Sequence, residues 1–274
     1  MRRSWDDTLR LARLRRLWRH VVLERSGYWF AARLSEPVAR RVVAPTGPFE
    51  EFFDAYVSGP GVFKWRHYFD IYHRHLAKFQ GQEVHVLEIG VCGGGSLGMW
   101  HHYFGPGCRV YGVDIEPACK AYESERTRIF IGDQASSDFW ADFIQQVPRI
   151  DVVIDDGGHE PRQQIATLEA LLPRISPGGV YLCEDIRVDC DSGFHDYVAG
   201  LGRNLHRTRN ATPGDWSTPL RVQPSSFQRL VDSIHLYPFV AVIELRTAAM
   251  DTFSCVRRGT QWLHFADKHE QPTR

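Results

Sequence analysis

The residues best suited to chemistry fall in two short runs, Asp155-Asp156-Gly157-Gly158-His159 and Glu184-Asp185. Each follows a short apolar stretch of strand character, Asp151 to Ile154 and Val180 to Cys183. In an open parallel sheet, neighbouring strands deliver the residues beyond their carboxyl ends to one crevice, where ligands bind. Carboxylates that meet there with no lysine nearby in sequence repel one another unless protonated or bridged by a cation. The donors are all oxygen, which suits Mg2+, with Mn2+ or Ca2+ as substitutes. Successive strand residues face opposite ways, so only one of Asp155 and Asp156 joins Glu184 and Asp185 as a ligand. His159 stands just ahead of Pro161, a good helix-opening residue. Its imidazole is placed to take a proton from a hydroxyl, a task for which histidine is the commonest side chain. Its plainer alternative is a loop histidine that caps the helix or orients a ligand.

A second set of strand ends has the look of a cofactor site. The stretch Val84 to Ile89 runs into Glu88-Ile-Gly-Val-Cys-Gly-Gly-Gly-Ser96, where glycines permit a tight turn and close approach to a ligand. Cys92 stands where the dinucleotide fingerprint requires its second glycine. Glu88, two residues before Gly90, would repel a pyrophosphate and welcome an ammonium group, which favours a zwitterionic ligand over NAD. The next strand ends in Gly112-Val113-Asp114, a carboxylate positioned to accept both ribose hydroxyls. The third ends in Gly132-Asp133-Gln134, whose side chains are candidates for an adenine edge. Asp at a strand end is often only a helix cap; three in succession are harder to dismiss.

The elements that must position these residues are legible in outline. Strands are expected at 84–89, 109–113, 128–131, 151–154 and 180–183, apolar enough to be covered on both faces. A helix opens at Pro161, repeats Ile165, Leu168, Leu172 and Ile175, and stops at Pro177-Gly178-Gly179. Upstream, a helical segment from about Phe49 to Phe79 is interrupted at Ser58–Gly61. Residues 186–224 lack regular patterning and read as a functional loop region. A short helix near 225–233 and two last strands, near 237–245 and 252–256 and antiparallel to each other, complete the chain. The fold class is therefore α/β, a doubly wound, Rossmann-like seven-stranded sheet, mostly parallel with an antiparallel last strand.

These residues carry a resemblance. Val86 to Ser96, Tyr111 to Pro117, Phe130 to Gln134, Ile150 to Glu160 and Pro177 to Asp185 resemble the successive motifs of class I S-adenosylmethionine-dependent methyltransferases. More narrowly, the run is similar to metal-dependent sugar O-methyltransferases of the mycinamicin and macrocin type, which shade into cephalosporin-hydroxylase-like proteins. Lys64-Trp-Arg-His-Tyr68 through Tyr72 is similar to the element preceding the core in that group. The likeness spans roughly Phe63 to Asp185. It implies S-adenosylmethionine and Mg2+ as cofactors. Glu88 would then face the methionine amino group, Gly90 and Gly93, Gly94 and Ser96 the methionine backbone, Asp114 the ribose, and Asp133 with Gln134 the adenine. Asp155 joins that cofactor set. Trp65, Tyr68, Phe69 and Tyr72 also read as one helix face that packs on the core, and only Tyr72 or His67 is given a cofactor role. The resemblance selects Asp156, with Glu184 and Asp185, as the metal ligands, and His159 with Asp156 as the catalytic pair. Arg187, His195, Trp216 and Arg221 are of types that contact sugars, without singling out one.

Composition limits the function classes. The chain has 274 residues, 43% hydrophobic and 24% charged, unlike disordered or collagen-like chains. Thirty-three basic and 33 acidic residues give no global field toward nucleic acid. The balance hides an asymmetry, because eleven Arg in residues 1–41 face only Asp6, Asp7, Glu24 and Glu36. Residues 9–22 form an amphipathic pattern of Leu11, Leu14, Trp18 and Val21 among arginines. Docking on its own domain, on a partner subunit or on an acidic membrane surface are the alternatives, and a docking or dimerisation helix is favoured. Residues 1–62 are thus expected as an N-terminal helical extension and 63–274 as the methyltransferase domain, in a homodimer or higher oligomer. Six cysteines without paired spacing read as free thiols, and no secretory signal or membrane span is visible, so the expectation is cytoplasmic with no stable membrane insertion. The expected activity is methyl transfer to a sugar hydroxyl of a glycoside, oligosaccharide or glycosylated natural product. The alternatives are a phenol or catechol acceptor, a hydroxylase or oxidoreductase component on the same fold, marked by preference for NADH, and a non-catalytic scaffold, for which the carboxylate and histidine set has no purpose.

Overall fold

The computed structural model describes residues 22, 25–33, 47–188, 191–208, 220–256 and 258. The arginine-rich helix expected over residues 9–22 lies almost wholly outside them, as do Cys190 and Trp216. The polypeptide divides into two units, residues 1–45 and 46–274. In the first, residues 25–32 are helical. The second begins with α1 (Pro48–Ala55) and α2 (Arg66–Leu76). Phe49 of α1 is fully buried and stacks on Tyr103, so α1 belongs to the second unit and the division falls earlier than the 62/63 boundary expected from sequence.

The unit continues with β1 (Val84–Ile89), α3 (Gly95–Phe104), β2 (Cys108–Asp114), β3 (Thr127–Ile131), α4 (Ser137–Gln146), β4 (Val152–Asp155), α5 (Pro161–Leu171) and β5 (Val180–Cys183). Then follow α6 (Gly193–Leu205), β6 (Leu220–Val222), α7 (Ser226–Leu230), β7 (Val231–Tyr237), β8 (Val240–Leu245) and β9 (Phe253–Cys255). Seven strands form one sheet in the order β3-β2-β1-β4-β5-β8-β7. β1 to β5 are parallel, and β8 runs antiparallel to both β5 and β7. β1 and β4 adjoin while their following strands depart in opposite directions, so the sheet reverses its winding between them and opens a crevice there. Ile89 pairs with both Val113 and Asp155, and Asp155 with Cys183, which sets these carboxyl ends level.

Strand alternation sorts the core into two layers. Val84, Val86, Val152 and Ile154 pack with Phe69, Tyr72, Leu76, Trp100 and Phe104 of α2 and α3. Leu87, Ile89, Val153 and Tyr181 pack with Trp140, Phe143, Leu168 and Leu171 of α4 and α5. Local chemistry fixes the helix starts: Ser136 Oγ accepts from Phe139 N, Pro161 opens α5, and Ser225 with Gln228 forms a capping box on α7.

Three expectations are corrected toward the C-terminus. The stretch 186–224 contains α6, a thirteen-residue helix whose apolar face buries Phe194 and Val198. The helix expected over 225–233 ends at Leu230, and Val231 onward is strand β7, because Val231 and Ile234 are drawn into the second core layer. β9 pairs with β6 in a separate two-stranded sheet, so the antiparallel neighbour of β8 is β7, reached through the two-residue turn Pro238-Phe239.

Candidate active site

The crevice is a pocket of about 630 Å3, ample for a cofactor-sized ligand. At one end it is floored by the glycine loop after β1. Gly90 takes φ +88°, and a Cβ there would collide with the Asp156 carbonyl, so glycine lets the β1 and β4 loops touch. Gly93 lies under Gly61, and Gly95 N donates to Gly61 O at 2.9 Å, which seats the Ser58–Gly61 break on the start of α3. Asp114 holds the loop by accepting from Cys92 N and Glu116 N, both at 2.9 Å, while its residue still lines the pocket. Asp133 accepts from Ala135 N and lines the pocket beside it.

Glu88, Gly94, Asp155 and Tyr72 do not line the pocket. Glu88 is fully buried beneath the loop on the α3 face. Its Oε2 accepts from Ser96 Oγ at 2.9 Å, and its Oε1 has no hydrogen-bond partner. Burial pushes its pKa up to about 7, against the pull of Lys64. Gly94, at φ +74°, begins α3 with the Tyr122 ring against it. Asp155, expected in the cofactor set, points into the opposite layer, as alternation along β4 demands. It accepts from Tyr181 Oη at 2.8 Å and from Gln134 Nε2, and burial raises it to about 7. Gln134 lines the pocket, yet its amide is engaged internally: it donates to Asp155 and Thr167 and accepts from Gly158 N at 2.7 Å, clamping the turn after β4. Tyr72 instead donates to Glu184 Oε1 at 2.7 Å.

The other end gathers the charged groups. His159 Nε2 lies 3.9 Å from both Asp156 Oδ1 and Asp185 Oδ2, and ligand atoms of the three residues all fall within 4.8 Å of one another. His159 Nδ1 is buried without a partner. Glu184, expected beside Asp156 and Asp185 as a ligand, is 1% exposed and turns its Oε2 to Lys64 Nζ at 3.0 Å. The same ammonium meets Asp156 Oδ2 at 2.5 Å. Burial alone would push the Lys64 ammonium down, but Glu184 and Asp156 hold it above its ordinary value. Burial raises Glu184, only partly offset by Lys64. Asp185 Oδ1 accepts from Tyr68 Oη at 2.6 Å and from Trp65 Nε1 at 3.0 Å.

Sequence reading missed Lys64, Tyr68 and Trp65 as site residues. Their signal was present: a lysine followed by aromatics ahead of the first strand, at the start of α2, which meet the carboxylates after β4 and β5. Cys92, His159 and Asp185 adopt positive φ, 47°, 57° and 54°, and all three line the pocket. Such backbone conformations persist where surrounding structure holds them and cluster at functional sites. Arg187 and His195 line a separate cavity of about 600 Å3 with Ile186, Val198 and Phe239. His67 Nε2 sits on Pro238 O at 3.2 Å, away from the cofactor loop.

The doubly wound sheet brings a glycine loop, an acidic second-strand end and a carboxylate pair to one crevice. Residues 87–186 match the family described as a methyltransferase domain. Curated relatives are O-methyltransferases, one of them, from Streptomyces olivaceus, named for a rhamnosyl tetracenomycin-C acceptor. The chain is 38% identical over 188 residues to the mycinamicin VI 2''-O-methyltransferase of Micromonospora griseorubida, covering 63% of this chain and 46% of that one. It is 34% identical over 191 residues to the demethylmacrocin O-methyltransferase of Streptomyces fradiae, covering 63% and 47%. The structure of MycE, a methyltransferase of the mycinamycin biosynthetic pathway, in complex with Mg, SAH and mycinamycin VI matches with a TM-score of 0.59. That match has 27% identity over 74% of this chain and 54% of that one. The chain thus spans about half the length of the curated relatives it matches.

Proposed function

We propose that the chain is an S-adenosylmethionine- and Mg2+-dependent O-methyltransferase acting on a sugar hydroxyl of a glycosylated small molecule. One observation carries the reading: a single pocket is lined at once by the glycine loop with Asp114 and by Asp156, His159 and Asp185. The cation fits the donor set, because Asp156, Glu184 and Asp185 line the pocket with hard oxygens and, among the described residues that line it, Lys64 alone sets a fixed positive charge against them. Asp156 and Asp185 would hold it, and Glu184 would join them only by releasing Lys64. When bound, such an ion stabilises negative charge developing on an acceptor oxygen.

In this reading the protein's own groups do the rest. The glycine loop, Asp114 and Asp133 orient the methyl donor, and Glu88, buried beneath that loop, adds negative charge under an ammonium group when ionised. His159 Nε2 receives the hydroxyl proton, and Asp156 Oδ1 and Asp185 Oδ2 on either side stabilise the resulting imidazolium. Trp65 and Tyr68 fix Asp185 so that the carboxylate does not reorient during transfer. Most acceleration then comes from alignment of hydroxyl and methyl group. The rhamnosyl acceptor in one relative's name favours a glycoside over a catechol. The arginine-rich segment before α1 is read as a docking or dimerisation element of a cytoplasmic homo-oligomer; a monomeric full-length chain in solution would refute that part.

The test is methyl transfer from S-adenosylmethionine to a panel of glycosides, nucleotide sugars and catechols, with Mg2+ or with EDTA. Metal-dependent methylation of a sugar is expected. Catechol methylation alone would move the acceptor class, and absence of cofactor binding would overturn the reading.

A further inference from the structure

A second cluster of metal-ligating side chains lies two turns along α2 from Tyr68, outside the pocket. His235 on β7 stands opposite Val242, two residues from Glu244 on β8, so the two project diagonally from one face of the ladder. His75, in the last turn of α2, comes down on them with its ring centroid 4.7 Å from that of His235. Ligand atoms of His75, His235 and Glu244 lie within 4.8 Å of one another. Their immediate partners are polar. His75 Nδ1 meets Glu244 Oε1 at 2.5 Å, His75 Nε2 meets Tyr237 Oη at 2.9 Å, His235 Nε2 meets Ser233 Oγ at 2.9 Å, and Lys78 Nζ reaches Glu244 Oε2 at 3.2 Å.

We propose that His75, His235 and Glu244 form a second divalent-cation site, selective for Zn2+ and similar borderline ions, that staples α2 to β7 and β8. Two imidazoles and one carboxylate are the donor set of open zinc sites, with water or Tyr237 completing the coordination, whereas Mg2+ disfavours nitrogen. Lys78 lies on Oε2 and leaves Oε1 for an ion that displaces the His75 hydrogen bond. The site differs in kind from the pocket, where the donors are mainly oxygen. Its consequence reaches the pocket, because α2 also carries Tyr68 and Tyr72, which hold Asp185 and Glu184.

Co2+ serves as the spectroscopic probe and Zn2+ as the stabilising ion, each added to the full-length chain, to His235→Ala and to His159→Ala. An intense visible Co2+ absorption and a rise in Tm with Zn2+ are expected in the parent chain and in His159→Ala, and both are lost in His235→Ala. His235→Gln, which retains a hydrogen-bonding side chain beside Ser233, is expected to lose them too, separating ligation from a folding defect. Absence of the band in the parent chain, or its survival in His235→Ala, overturns the proposal; loss in His159→Ala instead assigns the ion to the pocket.

Discussion

At the glycine-loop end of the pocket, Asp114 anchors backbone amides 2 and 22 residues away. At the other end, Lys64, Tyr72 and Tyr68 reach carboxylates 92, 112 and 117 residues away. The first end is assembled from adjoining strand ends and their own loops. The second concentrates charge that no neighbouring strand can neutralise, and a helix from before the sheet brings the compensating groups. Backbone hydrogen bonds shape the one; a buried ion-pair network sustains the other, and removing one member of such a network leaves another charge uncompensated.

That contrast is open to direct attack. His159→Ala is expected to lower turnover by about 10^2 to 10^4, the usual worth of a general base, while cofactor affinity measured by calorimetry stays near the parent value. Parental turnover would remove His159 from the chemistry. Lys64→Met leaves Asp156 and Glu184 facing each other in a site where Glu184 is 1% exposed. A loss of about 3 to 5 kcal/mol in urea unfolding is expected, partly restored by Mg2+; an unchanged midpoint would mean that the carboxylates need no fixed cation. At the glycine-loop end, Gly90→Ala forces a Cβ against the Asp156 carbonyl at φ +88°. The expected cost is about 1 to 3 kcal/mol, with weakened cofactor binding, and thermal unfolding with and without S-adenosylmethionine reads both.

The smallest effect concerns pH. Burial raises Glu88 to about 7, so in the free protein it is largely protonated below that pH. Its contribution to stability is complete below the ordinary glutamate range and is lost as pH rises through about 7. An ammonium group prefers the ionised form, so S-adenosylmethionine affinity is expected to rise through the same interval, by at most about tenfold per pH unit below it. Glu88→Gln should flatten the profile. A parental profile that is already flat would separate Glu88 from the ligand.

Much of the cofactor end was legible because strand-end motifs act locally: the spacing from Gly90 to Asp114, and Asp133 after β3, sufficed to place three pocket residues. Asp156, His159 and Asp185 were also legible, since β4 and β5 are neighbours in any doubly wound sheet. Tyr72 and Asp155 were not. Their types suit a cofactor, but which way a side chain points depends on the layer its strand or helix packs against. The local signal at Lys64 did not reveal its partner, for a related reason: the lysine lies 92 residues from its carboxylate.

By itself the sequence determined the strand order's raw material, the turn glycines and the acidic strand ends, because backbone propensity, alternation and capping are local properties. Tertiary structure alone decided which carboxylates are neutralised and which face the pocket. The layering of α2 over the sheet turns Glu184 to Lys64 and Tyr72 and leaves Asp156 and Asp185 beside His159. Charge compensation in a low-dielectric interior depends on distances through space, and those exist only once the helix has packed.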